Sequence, residues 1–259
     1  MTTFVASYQS EWLKTKRSLA AWLVVLGGFF IPFILFWARV LYPDKLRKEV
    51  LSPTYWEGIL GQSWQFMAFF MLPMGLVLAT SLLTQMEFRN NTWKQLHTTP
   101  QSYTTIFVVK LGVLLTMLFQ FFVLFNLGMY LSGILPPLVR GISLPKQAFP
   151  WEVYLKTSSH FWVNCLPIVG FQYLVSLQFR NFLVPLGAGI GLLLASLIGL
   201  EWEHGHWLPY SYCPYYFFSL RGAKLGTLAV DVFFKWALGY FVGFTLLSYF
   251  FYVLKKDKS

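Results

Sequence analysis

The sequence predicts an all-α integral membrane bundle of six transmembrane helices. Three observations predict it. Hydrophobic residues make up 56% of the 259-residue chain and charged residues only 12%, about half the charged share of a soluble domain. Six apolar stretches each reach the ~20 residues that a helix needs to cross the hydrocarbon layer. Those stretches lack the alternation of period two that barrel strands show. Backbone in lipid must satisfy its own hydrogen bonds, so they are helices. The 27 Phe, 14 Tyr and 11 Trp suit the same setting, because Trp and Tyr settle at the headgroup boundary.

The predicted spans are 20–42, 63–86, 105–134, 155–179, 182–200 and 228–254. The first follows a largely polar segment, lacks a small-residue cleavage signature and reads as a retained span. The third is long enough to tilt. The fourth is the most polar. No second soluble domain, linker or internal repeat is visible, so 1–259 reads as one membrane domain.

The net charge is +10. Its basic residues lie in short loops and tails between apolar runs, which points to topology and anionic headgroups rather than nucleic acid. Six spans place both termini on one side. Lys and Arg divide evenly between the two sides, but the segments 1–19, 87–104, 180–181 and 255–259 are shorter and therefore denser in charge. Lys14, Lys16 and Arg17 abut the first span, and Lys255, Lys256 and Lys258 follow the last. The termini are accordingly expected in the cytoplasm, with 43–62, 135–154 and 201–227 outside. Cys165 and Cys213 match neither zinc nor redox spacing and read as free thiols.

Two segments on the expected cytoplasmic side carry the most information. In 4–15, Val5, Tyr8 and Trp12 form an apolar stripe, while Gln9, Glu11 and Lys14 lie away from it. This predicts an amphipathic helix along the membrane surface. The loop 87–104 is polar at its start and has helix formers from Trp93 to Leu96. Pro100 then disfavours helix at Thr99. A short helix parallel to the membrane follows, offering Trp93 and Leu96 as apolar knobs and Arg89 and Lys94 as charges. Lys110 stands just inside the third span.

The stretches SEWLKTKRS and MEFRNNTWKQLHTTPQSYTTIFVVK resemble the corresponding segments of ABC-2 type permeases, the membrane subunits of many bacterial ATP-binding-cassette exporters. Glu87, Asn91, Thr92, Leu96, Pro100 and Lys110 follow that family's pattern; Asn91 stands where the family often has Gly. In style the chain is similar to the smaller permeases linked to lantibiotic immunity or bacitracin resistance. The resemblance implies that 87–104 is a coupling helix seated in a separate cytoplasmic ABC ATPase subunit, through Glu87, Arg89, Asn91, Thr92, Trp93, Lys94, Leu96 and Pro100. The N-terminal helix, with Tyr8, Glu11, Trp12 and Lys14, would be a connecting helix beside it. The chain has no GxxxxGK[ST] phosphate cradle, so ATP and Mg would sit on the partner ATPase and this chain would bind no cofactor. Six spans are half a pathway, so a second permease protomer is implied, as a homodimer or with a sister permease.

Gly187, Gly191, Ala195 and Gly199 recur every four residues in the fifth span. Such small-residue stripes allow close helix approach, either within the chain or to the second protomer; in the family, the fifth span often makes the dimer contact. The segment 201–227 is expected to be an aromatic cap in the outer interface, with re-entrant breaks at Pro209 and Pro214 implied by the resemblance. Its Glu201, Glu203, His204 and His206 form too short and undefined a cluster for a metal site. Gln120, Asn126, Asn164 and Gln172 either line a path or bond neighbouring helices. His160 belongs to the same polar set, and Asp231 and Lys235 stand at pairing distance in sequence.

The leading function is therefore an exporter permease in the inner or plasma membrane, moving an amphipathic peptide, lipid or drug-like substrate with an external ATPase. The alternatives are a membrane-embedded lipid-modifying enzyme, for which HExxH, GxSxG and paired acids are absent, or a non-pumping immunity or scaffold protein. No catalytic residue is predicted.

Overall fold

The computed structural model describes residues 2–89, 102–222 and 230–256, and every regular element among them is helical. In chain order they are α1 (Thr2–Lys16), α2 (Leu19–Leu41), α3 (Pro43–Leu51), α4 (Tyr55–Phe66), α5 (Leu72–Arg89), α6 (Tyr103–Val139), α7 (Trp151–Asn164), α8 (Leu166–Gln178), α9 (Leu183–Ile198), α10 (Tyr212–Leu220) and α11 (Val230–Lys256). Five stretches are continuous and apolar enough to cross a membrane: Leu19–Leu41, Tyr55–Met86, Tyr103–Val139, Leu183–Glu201 and Val232–Leu254.

The remaining predicted span, 155–179, is not one helix. It is α7 and α8 placed end to end, with Cys165 capping the first and Leu166 and Pro167 opening the second. Proline has no N–H to donate and crowds the carbonyl four residues back, so the ladder breaks there. The second span also differs from its predicted 63–86. Its helix begins at Tyr55, where Tyr55, Trp56 and Ile59 continue the apolar face inward. Between α4 and α5, Met67–Met71 forms a π-helical turn. Pro73, which cannot donate to the Phe69 carbonyl, accounts for this local widening.

Side-chain bonds sort the elements into two ends. At one end Tyr8 Oη meets Thr116 Oγ1 at 2.7 Å and Thr104 Oγ1 meets Tyr249 Oη at 2.7 Å. There too Gln85 donates to the Arg180 carbonyl at 2.9 Å. That end gathers α1, the end of α5, the start of α6, the α8–α9 turn and the end of α11. At the other, Tyr154 donates to the Trp56 carbonyl (2.8 Å) and Arg140 to that of Val40 (2.7 Å). The α7–α8 pair runs between them: Tyr173 on α8 donates to the Phe107 carbonyl at 3.0 Å.

Lipid tails are as apolar as leucine, so helices in a bilayer associate through close packing rather than through escape from water. Glycine supplies that closeness where α2 crosses α6. A Cβ on Gly128 would lie 2.8 Å from Pro32 Cγ, and one on Gly28 would lie 3.0 Å from Leu124 Cβ. One on Gly133 would run into the Trp56 ring. The opposite stripe of α2, with Trp22, Leu26, Phe30, Phe33 and Trp37, is exposed along its length, as a lipid-facing surface should be. Aromatic residues fill the centre. The Trp64 ring stacks on Phe161 at 3.8 Å between centroids and meets Phe125 edge-on at 4.9 Å.

The segment after α9 folds back into the bundle. Two short 3-10 turns, Gly199–Glu201 and Gly205–Trp207, lead into α10. Tyr210, Tyr212, Cys213 and Tyr216 are buried. Tyr215 donates to the Leu200 carbonyl at 3.0 Å and Tyr240 to that of Trp207 at 2.8 Å, which satisfies backbone that would be costly in an apolar layer.

Candidate functional site

The end that gathers α1 also holds the two flanks of the 87–104 segment, since α5 leads into it and Ser102 caps α6 out of it. Ser102 Oγ accepts from Thr105 N at 3.1 Å. Asn91, Thr92, Trp93, Lys94, Leu96 and Pro100 lie outside the described residues. Glu87 and Arg89 belong to the last turn of α5 by backbone only.

α1 is docked by Tyr8 and Trp12 of its apolar stripe together with the polar residues beside them, while Val5 of the stripe is left exposed. The inward residues are Ser7, Tyr8, Glu11, Trp12 and Thr15, while Phe4, Val5 and Leu13 are exposed. Glu11, expected to lie away from the contact, is at its centre. The reason is Lys110, whose side chain is only 2% exposed and whose Nζ lies 3.1 Å from Glu11 Oε2. A buried ammonium requires a charged partner, and satisfying it rotates the helix. Lys14, half exposed, holds the other carboxylate oxygen. Around this pair, Tyr8 reaches Thr116, which itself donates to the Gly112 carbonyl at 2.9 Å. The Tyr8 ring lies over Gly112, where a Cβ would sit at ordinary contact distance, 3.7 Å from Tyr8 Cε2. Tyr8 and Trp12 stack with parallel planes. Thr15 donates to the Glu11 carbonyl at 2.9 Å, and Ser18 caps α2. The Glu11–Lys110 ion pair and the Tyr8–Thr116 hydroxyl bond thus tie the N-terminal helix to the third long helix, with the Tyr8–Trp12 stack stiffening the docked face of α1.

Burial works to raise the Glu11 pKa, but the Lys110 and Lys14 ammoniums outweigh it and hold the carboxyl below its ordinary 4.5. A carboxyl depressed on folding contributes stability that is present above its unfolded pKa and is lost as the pH falls through the folded one. Docking of α1 is therefore expected to be indifferent to pH well above the ordinary carboxyl value of 4.5 and to weaken only as the pH falls below it. A spin label at the exposed Leu13 position, gaining mobility only below that value, checks it.

The other sequence-predicted residues scatter. Asn126 and Ser158 bond reciprocally at 2.8 and 3.0 Å, tying α6 to α7. Gln172, fully buried, donates to Ser81 Oγ (3.0 Å) and the Pro185 carbonyl (2.8 Å) and accepts from Tyr210 at 3.3 Å. It therefore joins α5, α8, α9 and the folded-back segment. Asn164 is buried with neither amide atom partnered among the described residues. Gln120 is exposed near Trp12. His160 stacks on Tyr216, and the Asp231 side chain lies outside the described residues. Among the described residues no group of three or more His, Cys, Asp or Glu is placed to hold a metal.

The fifth-span stripe points away from the bundle. On α9 the packed residues are Pro185, Gly189, Leu193 and Ser196. Gly187, Gly191 and Ala195 are exposed, and a Cβ on either glycine would meet nothing within 4 Å. Packing within the chain, one of the two readings of the stripe, is not what these three residues do. Gly199 lies past the helix end, where a Cβ would be 2.8 Å from Leu208 Cδ1. Sequence reasoning passed over Ser7 and Thr15, small polar residues with no distinguishing pattern, and Arg39, which reads as a routine charge ending a span.

Residues 8–196 match the family described as ABC-2 family transporter protein. The chain belongs to that family. Neither the curated proteins nor the solved structures searched give a match. An ABC-2 permease is the transport component of an ABC transporter in the membrane, and this chain is accordingly a multi-pass membrane permease. The match opens at Tyr8, inside α1, so it takes in the part of the helix that carries Tyr8, Glu11 and Trp12.

Proposed function

We propose that this chain is the membrane subunit of an ABC exporter that works with a separate cytoplasmic ATPase and a second permease protomer. Both termini are cytoplasmic in this reading, the chain crosses the inner or plasma membrane six times, with α7 and α8 together as the fourth crossing, and ATP and Mg are held by the partner. The observation that carries it is the gathering, at one end of a family-matched bundle, of α1 and both flanks of 87–104. ATP-driven closure of the ATPase moves the 87–104 coupling segment. Through Glu11 and Lys110, motion at α1 is delivered to α6. The chain itself performs no bond chemistry.

The test is co-purification. The ATPase subunit is expected to be retained by the wild-type chain and lost from Trp93→Asp or Leu96→Asp. Retention of equal ATPase by both variants contradicts the assignment of the handle.

The exposed Gly187, Gly191 and Ala195 face supports pairing of protomers through α9, since a helix backbone laid bare in this way offers close approach to another. Gly191→Leu is expected to be tolerated within the chain, because residue 191 is exposed and a Cβ there meets nothing within 4 Å. It is expected to lower dimer affinity by about tenfold, or ~1.4 kcal/mol, read by subunit counting in nanodiscs with an unchanged melting temperature. An unaltered dimer fraction places the protomer contact elsewhere.

A further inference from the structure

At the end opposite α1, the guanidinium of Arg39 is 7% exposed and poorly satisfied. Its Nε lies 3.4 Å from Glu49 Oε2 and its Nη2 lies 3.4 Å from Gln62 Oε1, both long for bonds to a cation, which run at roughly 2.7–2.9 Å to carboxylate. Its Nη1 is buried with no partner among the described residues. Glu49 is shared with Lys45 at 3.7 Å, so the positive charge around Arg39 is not cancelled. Arg39 lines a cavity of about 150 Å³ together with Glu49, Ser52, Thr54 and Gly58. Thr54 and Gly58 also border a second cavity of about 440 Å³, whose wall includes Leu60, Trp64, Val153 and Phe217. The Trp64 Nε1 is a further buried donor without a partner among the described residues. Glu57 and Arg221 also line this second cavity, Arg221 over the Phe217 ring at 5.5 Å, and both are exposed and therefore screened. Beside it α3 buries Leu46 and Val50 and exposes Lys45, Arg47 and Lys48 against a single exposed acid, Asp44, a net basic face whose field favours an anion in the crevice.

We infer that this paired crevice binds the anionic phosphate headgroup of a membrane amphiphile, with the phosphate at Arg39 and an apolar chain along the Leu60–Trp64–Phe217 wall. A buried, under-bonded planar cation suits phosphate, which a guanidinium can hold with two parallel N–H donors. The neighbouring apolar wall favours a lipid over a free anion. Neither the ATPase nor the dimer enters this inference.

Gly58 supplies the test, because it borders both cavities and a Cβ there would meet nothing within 4 Å. Gly58→Phe fills the crevice while leaving Arg39 and its partners in place. Binding of dioctanoyl phosphatidylglycerol, dioctanoyl phosphatidylcholine and inorganic phosphate is measured by native mass spectrometry on the full chain. Phosphatidylglycerol is expected to bind about tenfold more tightly than either of the others and to lose about tenfold in Gly58→Phe, at unchanged melting temperature. Arg39→Lys, which keeps the charge but not the fork, serves as the second variant and is expected to weaken binding several-fold. Undiminished binding in both variants overturns the site. Phosphatidylcholine binding equally well overturns the requirement for net charge, and inorganic phosphate binding equally well overturns the amphiphile.

Discussion

Lys110→Met is expected to free α1 from the bundle while leaving the long helices assembled. Breaking a buried ion pair by removing one partner costs roughly 3–5 kcal/mol when the other charge stays buried. Here Glu11 keeps Lys14 and some exposure, 14% by side chain, so the lower end, about 3 kcal/mol, is the expected size. If α1 undocks as a local unit, that raises its undocked population about a hundredfold. Trypsin cleavage after Lys14, Lys16 or Arg17 should accelerate correspondingly, while cleavage elsewhere does not change. Methionine retains the apolar stem length, so lost packing is a minor part of the effect. Closing the cycle with Glu11→Gln and the double variant isolates the pair. The double variant should be more protected than Lys110→Met alone, because no carboxylate is left in the contact and Lys14 is half exposed to solvent. Equal cleavage in wild type and Lys110→Met would mean that Tyr8, Trp12 and the Thr116 bond hold the helix unaided.

Trp64→Ala is expected to destabilise the whole bundle, whereas Trp64→Phe should be close to neutral. Trp64 is fully buried between Phe161, Phe122 and Phe125. In a soluble core its removal would forfeit both transfer energy and packing. Here the outside is lipid, so only the packing part counts. A void on the order of 100 Å³, at ~24 cal/mol per Å³, costs about 2–3 kcal/mol. Phenylalanine keeps a stacked ring against Phe161 and removes an indole N–H that no described residue accepts, and a buried unpaired donor costs about 1–3 kcal/mol by itself. The two terms offset. Melting temperatures in detergent should therefore fall by roughly 5 °C or more for alanine and by little for phenylalanine. A large fall for phenylalanine would show that the indole nitrogen has a partner of its own.

These expectations mark where the sequence is transparent and where it is not. Apolar length announces the crossing helices directly, because the bilayer fixes how long they must be. The break before Pro167 is written in the proline, yet hydropathy runs straight across it, since Leu166, Ile168 and Val169 keep the stretch apolar. Lys110 is visible as a charge inside an apolar run. Its partner is not, because Glu11 is 99 positions away and the Val5–Tyr8–Trp12 stripe turns it outward on paper. The stripe locates Tyr8 and Trp12 on the docked face, but the turn of α1 that brings Glu11 in beside them follows from a charge on another helix. The small residues of α9 are legible as a stripe, but only packing tells that Gly189 serves the chain's interior and Gly187 and Gly191 do not. Arg39 shows the same limit. A charge at a span end is unremarkable until its neighbours leave a guanidinium nitrogen unmatched.

Joined by Glu11 and Lys110, α1 and the third long helix are expected to behave as one mechanical piece. Leu13 and Val108 are exposed, whereas Cys165 and Cys213 are both buried, so cysteines placed at the first two positions should take spin labels selectively. The distance between them, measured by double electron–electron resonance in nanodiscs, is expected to be single and narrow. It should not change when the ATPase is bound, with or without nucleotide, and it should broaden in Lys110→Met. A broad distribution in the wild-type chain, or a distance that moves with nucleotide, would contradict the claim.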